Sequence, residues 1–104
     1  MAQDEIRTIV KRFIDVLRQN GITINRVILY GSYAKGLSSE VSDIDVAIVS
    51  KDFGKDSVEE GMMLFRLAGE VDARLEPVPI SLSRFEHDTW LPLMHEIRAT
   101  GVEL

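Results

Sequence analysis

The sequence contains no cysteine and no long hydrophobic run. Without cysteine the chain has no disulfide, thiolate zinc site, iron–sulfur cluster or cysteine nucleophile. No stretch approaches the ~20 apolar residues that a membrane-spanning helix requires. Residues 1–5 are polar and acidic, unlike the start of a secretory signal. We therefore expect a cytoplasmic protein with no membrane partner.

Basic residues are also scarce: 12 Lys and Arg face 17 Asp and Glu, which gives a net charge of −5. A protein that binds duplex DNA needs a basic face to neutralise phosphates, so we expect no such partner. A small phosphorylated ligand remains compatible with this charge if metal ions hold it, because a bound cation reverses the local charge balance. A length of 104 residues predicts a single domain, residues 1–104, with one modest core.

Hydrophobic periodicity predicts helices over residues 4–19 and 57–71, a further helix near 90–98, and strands over 26–30, 42–50 and 74–80. The last strand contains Pro77 and Pro79, which cannot donate ladder hydrogen bonds, so we expect it at an edge of the sheet. The pattern predicts an α/β (α+β) fold, with a small mixed sheet of three to four strands and helices packed mainly on one face.

The clearest predicted strand carries two acidic residues on one face. Asp43 and Asp45 are two positions apart, so both side chains point the same way, with Cα atoms roughly 6.5 Å apart. The opposite face is apolar: Ile44, Val46 and Ile48. Two carboxylates at this spacing suit one or two hard divalent cations such as Mg²⁺. For an isolated Asp-x-Asp, a solvated acidic face is the commoner explanation.

A Gly-Ser pair follows the first predicted strand directly. Gly31 allows a phosphate to approach the backbone closely, and the Ser32 hydroxyl and nearby N–H groups can donate to phosphate oxygens. The segment is not a Walker A loop, because Gly-Lys-Ser/Thr is absent. By itself, Gly-Ser after a strand is a common turn.

The two features together are more specific than either alone. Gly31-Ser32, a gap of ten residues and then Asp43-Ile44-Asp45 resemble the signature of the polymerase-β-like nucleotidyltransferase superfamily. More narrowly, the chain is similar to the minimal nucleotidyltransferases, small prokaryotic proteins that hold only the catalytic core. The order of helices and strands extends the resemblance over most of the chain, and the resemblance implies the nucleotidyltransferase fold.

The resemblance also implies site residues. Gly31 and Ser32 would bind the triphosphate of ATP, and Asp43 and Asp45 would hold Mg²⁺, with two ions expected. A third carboxylate in the family comes from a later strand, where it binds metal and helps to deprotonate the acceptor hydroxyl. Glu76 is the best match, although the family often has aspartate there. Asp72 is the alternative, and the sequence leaves the choice open.

The implied reaction is the transfer of AMP from ATP to a hydroxyl. Minimal nucleotidyltransferases are commonly encoded beside an all-helical HEPN-family toxin, and the pair resembles a toxin–antitoxin module in which the transferase adenylylates the toxin on tyrosine. We therefore expect a HEPN-type toxin partner that supplies the acceptor. One alternative is a non-catalytic antitoxin or partner-binding module of the same fold. Another is a small α/β domain with an acidic strand and no nucleotide site.

Overall fold

The computed structural model describes residues 2–31, 43–87 and 91–104, and within them the chain forms helices and strands in mixed order. In chain order these are α1 Ala2–Gln19, β1 Arg26–Tyr30, β2 Ile44–Ser50, α2 Ser57–Gly69, β3 Leu75–Ser81, α3 Leu82–His87, α4 Pro92–Thr100 and β4 Val102–Glu103. The predicted strands and the two long helices are present, with ends within a few residues of the prediction.

The strands form one mixed sheet in the order β3-β2-β1-β4. Strand β1 runs antiparallel to both β2 and β4, whereas β2 and β3 are parallel. The prediction of a small mixed sheet is confirmed. Strand β3 lies at an edge, as Pro77 and Pro79 predicted, because an edge strand has one side where a missing N–H breaks no ladder.

The two long helices cover one face of the sheet. Phe13 and Leu17 of α1 and Leu64 of α2 are fully buried there, against alternate residues of the central strands such as Val46 and Ile48. The apolar side chains on one face of β2 and those on one side of α1 therefore pack together in the main core. The prediction that helices pack mainly on one face is confirmed for α1 and α2.

A second, smaller cluster lies on the other face. Met94 and Ile97 of α4 are buried against Ala47, Val49 and Ile80 of the sheet. Helix α4 therefore covers the half of this β2 face that lies farther along the strand from Asp45.

The sequence did not predict α3 or β4. The ring of Phe85 in α3 has two guanidinium groups over it, with its centroid 5.4 Å from Cζ of Arg26 and 5.8 Å from Cζ of Arg98. Arg26 also pairs with Glu103 of β4, with an N–O distance of 2.8 Å. None of the helices in the described ranges has the length and apolar character that crossing a bilayer requires.

Candidate active site

Strand register brings three polar side chains into a row across the sheet. Asp45 of β2 is directly opposite Tyr30 of β1 on one side and Glu76 of β3 on the other. Residues directly opposite one another on neighbouring strands point to the same face, and adjacent strands are about 4.8 Å apart. Two of the three predicted carboxylates are therefore cross-strand neighbours.

Asp43 lies just before β2 and is exposed, whereas Asp45 is partly buried. The two residues have the same parity along the chain, and the buried Ile44 between them belongs to the main core on the opposite face. Asp43 therefore extends the acidic row toward solvent, as the Asp-x-Asp spacing predicted.

Asp72 lies in a different environment from Glu76. It precedes β3, and its Oδ1 accepts hydrogen bonds from the Arg74 backbone N–H at 2.8 Å and from the Arg74 Nε at 3.2 Å. Its Oδ2 accepts from Arg74 Nη2 at 3.1 Å, and the same nitrogen contacts Glu5 of α1 at 3.2 Å. Of the two alternatives, Glu76 is the one paired with Asp45 in the sheet. Its catalytic role remains a prediction.

Gly31 immediately follows β1 and touches the acidic row. Its φ is +74°, in the left-handed region that favours glycine. A Cβ atom built at Gly31 would overlap the carboxylate oxygen Oδ2 of Asp45. A side chain at position 31 would therefore force the Asp45 carboxylate to move. The predicted phosphate contact of Ser32 lies outside the described residues.

The electrostatics of the site show a concentration of negative charge. Burial raises the pKa of Asp45, and the nearby charges of Asp43, Glu76 and Glu96 raise it further. Burial, followed by Asp45, Glu96 and Glu76, raises the pKa of Tyr30 to about 12. The Tyr30 hydroxyl therefore keeps its proton throughout the physiological pH range.

Sequence reasoning missed Tyr30 and Glu96 as neighbours of the site. Tyr30 ends a hydrophobic strand, and Glu96 is an exposed residue on a short helix. Neither residue belongs to the motif. The strand pairing of β1 with β2 and the packing of α4 on the sheet bring them to Asp45, and both depend on contacts distant in sequence.

The donor chemistry of the row fits a magnesium site. Asp43, Asp45 and Glu76 offer carboxylate oxygens, the ligands that Mg²⁺ prefers. A divalent cation would also offset the mutual repulsion that disfavours the ionised form of Asp45. Across residues 2–31, 43–87 and 91–104, no three acidic or histidine side chains are gathered tightly enough to form a metal cluster by themselves.

The separate environment of Asp72 gives a pH-dependent prediction. Hydrogen bonds from the side chain and backbone of Arg74 lower the pKa of Asp72 below its usual value. This interaction stabilises the fold above the unfolded-state pKa, and the stabilisation is lost as pH falls through the lowered folded-state pKa. We expect Asp72→Asn to lower the free energy of unfolding by about 1 kcal/mol at neutral pH and by less below about pH 4.

Urea unfolding at several pH values measures this difference. Asp15→Asn, the same exchange at an exposed position of α1, is the control for the loss of a carboxylate. A gap between wild type and Asp72→Asn that stays constant down to about pH 2 would contradict the assignment of the Asp72–Arg74 pair.

The family model for polymerase beta nucleotidyltransferases matches residues 11–104. The chain therefore belongs to the polymerase-β nucleotidyltransferase family, which confirms the resemblance inferred from the motif. A search of curated proteins returned no match.

Solved structures share the fold. A protein of Sulfolobus solfataricus assigned as a nucleotidyltransferase superposes with a TM-score of 0.68 at 17% identity, covering 97% of this chain and 80% of that chain. A toxin–antitoxin complex with AMP-PNP superposes with a TM-score of 0.65 at 24% identity, and the match covers 89% of this chain and 69% of that chain. The structure of the tri-AMPylated Shewanella oneidensis HEPN toxin in complex with MNT antitoxin superposes with a TM-score of 0.62 at 21% identity. The match covers 94% of this chain and 70% of that chain.

Proposed function

We propose that the protein is a Mg²⁺-dependent nucleotidyltransferase that transfers AMP from ATP to a hydroxyl group, the acceptor being a tyrosine of an all-helical HEPN-type toxin. It would act in the cytoplasm as the antitoxin of a toxin–antitoxin pair. The observation that carries the proposal is the pairing of Asp45 with Glu76 across the sheet, with Asp43 on the same face, in a chain of this family.

The proposed roles follow from the chemistry of each group. Asp43, Asp45 and Glu76 hold two Mg²⁺ ions, which when bound supply positive charge beside the phosphate oxygens. The backbone at Gly31, which has no Cβ, and the hydroxyl of Ser32 bind the triphosphate.

The proposed reaction is an in-line displacement at the α-phosphorus. The acceptor oxygen forms a bond to this phosphorus, the bond to the β-phosphate oxygen breaks, and pyrophosphate leaves. Glu76 accepts the proton of the acceptor hydroxyl. Because the chain supplies orientation and charge rather than a nucleophile, the reaction needs neither cysteine nor histidine in the site.

The partner proposal depends on the neighbouring structures. Two of them are toxin–antitoxin complexes, one with AMP-PNP and one with a tri-AMPylated HEPN toxin. In the proposed complex, residues 1–104 act as one catalytic domain, and the partner presents its tyrosine to the acidic row.

Transfer of label from ATP tests the proposal. The protein is mixed with the helical protein encoded beside it, Mg²⁺ and ATP labelled at the α-phosphate. We expect label on the partner, about 100-fold less of it with Glu76→Gln, and the wild-type rate with Asp72→Asn. Glu76→Gln removes a charge beside Asp45, whereas Asp72→Asn removes one that is paired with Arg74.

Absence of label with the wild-type protein, in a mixture where the two proteins form a complex, would favour the non-catalytic antitoxin instead. Loss of transfer in Asp72→Asn with full activity in Glu76→Gln would reverse the assignment of the third carboxylate. Mg²⁺-dependent ATP binding by calorimetry, without any partner, separates a missing nucleotide site from a wrong choice of acceptor.

A further inference from the structure

The outward face of α2 carries large apolar side chains. Val58, Met62 and Phe65 are 72%, 68% and 58% exposed. Their spacing of four and then three residues places them on one side of the helix, over two turns. Three of the four large hydrophobic residues that are exposed in the described ranges lie on this line, which we call the α2 stripe.

The α2 stripe is not part of the core. Helix α2 already packs against the sheet through its opposite face, where Leu64, Leu67 and Ala68 are buried. An ordinary surface helix has polar residues at the outward positions, so a continuous apolar line there marks an interaction surface. Gly61 lies beside the stripe, and a Cβ atom built there would meet nothing within 4 Å, which leaves room for a second helix to approach closely.

Charged residues next to the α2 stripe indicate what covers it. Glu59 lies near its N-terminal end and Arg66 near its C-terminal end, and their helical positions place both along the same side. Within the described ranges neither side chain has an ion-pair partner. The α2 stripe therefore has a negative residue, Glu59, toward one end and a positive residue, Arg66, toward the other, seven positions apart.

This arrangement is complementary to itself. When two copies of α2 pack antiparallel about a two-fold axis, the same side of each helix faces its counterpart, and the N-terminal end of one meets the C-terminal end of the other. Glu59 of one copy then lies beside Arg66 of the partner subunit, and the pair occurs twice. A parallel two-fold arrangement would place the two charged flanks on opposite sides of the interface, so that neither Glu59–Arg66 pair could form.

We propose that the α2 stripe is the interface of a homodimer, in which two antiparallel α2 helices cross near Met62. Val58 of each copy packs against Phe65 of the partner subunit, and the two Glu59–Arg66 pairs close one side. Helix α2 belongs to the main core, on the face of the sheet opposite the acidic row. Both candidate active sites therefore remain open in the dimer, and this inference is independent of the proposed reaction.

The size of the surface sets the expected strength of association. Six apolar side chains, three from each copy, and two ion pairs form an interface at or below the lower end of stable complexes, which bury about 1,200–2,000 Å² in total. We therefore expect a reversible dimer whose population rises with protein concentration, rather than a permanent one.

Sedimentation velocity of the full chain, from about 10 µM to about 1 mM, measures this association. We expect the wild-type sedimentation coefficient to rise from the monomer toward the dimer value, and Met62→Asp to remain monomeric throughout. Because Met62 is exposed, the variant should keep its circular dichroism spectrum and ATP binding. Arg7→Glu, an exposed change on α1, is the control and should dimerise normally.

Exchange of the two charges tests the antiparallel arrangement itself. Glu59→Arg and Arg66→Glu should each weaken dimerisation about 10-fold or more, and the double variant should return to within about threefold of wild type. A wild-type protein that stays monomeric to about 1 mM would overturn the proposal. So would a dimer unaffected by Met62→Asp, or a double variant as weak as the single ones. A monomer that loses binding of its helical partner through Met62→Asp would instead assign the stripe to that partner.

Discussion

Replacement of Asp45 by asparagine is expected to abolish AMP transfer, with a loss of about 1,000-fold or more. Asp45 lies at the centre of the acidic row, with Tyr30 and Glu76 as its direct cross-strand neighbours. Asparagine has nearly the same shape but no charge, so it removes a carboxylate ligand and leaves the packing of β2 unchanged. Mg²⁺-dependent ATP binding, measured by calorimetry, should be lost together with transfer.

The same variant should be at least as stable as the wild type when metal is absent. The raised pKa of Asp45, caused by burial and then by Asp43, Glu76 and Glu96, means that its ionised form is disfavoured in the folded state. Stability of the wild type therefore falls as pH rises from the unfolded-state pKa through the raised folded-state pKa, whereas Asp45→Asn escapes this loss. Opposite effects on activity and stability are typical of a functional site.

Thermal unfolding in a chelator, from about pH 3 to about pH 8, measures the second effect. Asp15→Asn on the exposed face of α1 is the control, because it removes a carboxylate far from the row and should change neither activity nor this pH dependence. Retention of Mg²⁺-dependent ATP binding by Asp45→Asn would contradict the proposed metal site. Marked destabilisation in chelator would show that the carboxylate serves the fold rather than a ligand.

Much of the fold was predictable because its main signals are local. The run at 26–30 is β-branched and aromatic, and β1 has those bounds. Alternation along β2 correctly placed Ile44, Val46 and Ile48 in the main core and Asp45 on the other face of the sheet. Pro77 and Pro79 identified the edge strand because a missing N–H group is a property of the residue itself.

The elements that were missed depend on distant contacts. Helix α3 has six residues, none buried, which is too short for a periodic stripe. Strand β4 has two residues and exists through its pairing with β1. Its ion pair joins Arg26 to Glu103, 77 positions apart. No local pattern carries that information.

The candidate residues of the site could likewise be identified from local patterns, whereas their arrangement in space depends on strand register. The sequence identified Glu76 as a candidate through its place in a strand, but the pairing of Glu76 with Asp45 depends on the register of β3 against β2. The Asp72 carboxylate is bound by Arg74, two residues away, a local pairing that parity alone does not reveal. Tyr30 likewise became part of the site through the register of β1.

Gly31→Ala is expected to destabilise the fold and to remove ATP binding, because the residue has two separate reasons to be glycine. Its φ of +74° disfavours any residue with a side chain. A Cβ atom there would also overlap Asp45 Oδ2, so the carboxylate must move away from its place in the row. We expect a loss of about 2–3 kcal/mol in the free energy of unfolding.

Gly21→Ala separates the two causes. Gly21 has a similar φ of +81°, but a Cβ atom there would meet nothing within 4 Å. This control should lose only the backbone contribution, about 1 kcal/mol, and should bind ATP normally.

Combining Gly31→Ala with Asp45→Ala removes the overlapping carboxylate, so the double variant should recover the part of the stability loss that exceeds the Gly21→Ala value. Equal destabilisation by Gly21→Ala and Gly31→Ala, with ATP binding intact in both, would show that contact with Asp45 does not constrain position 31. Chemical denaturation gives the free energies of unfolding of the wild type and the three variants, and calorimetry with ATP and Mg²⁺ gives the binding.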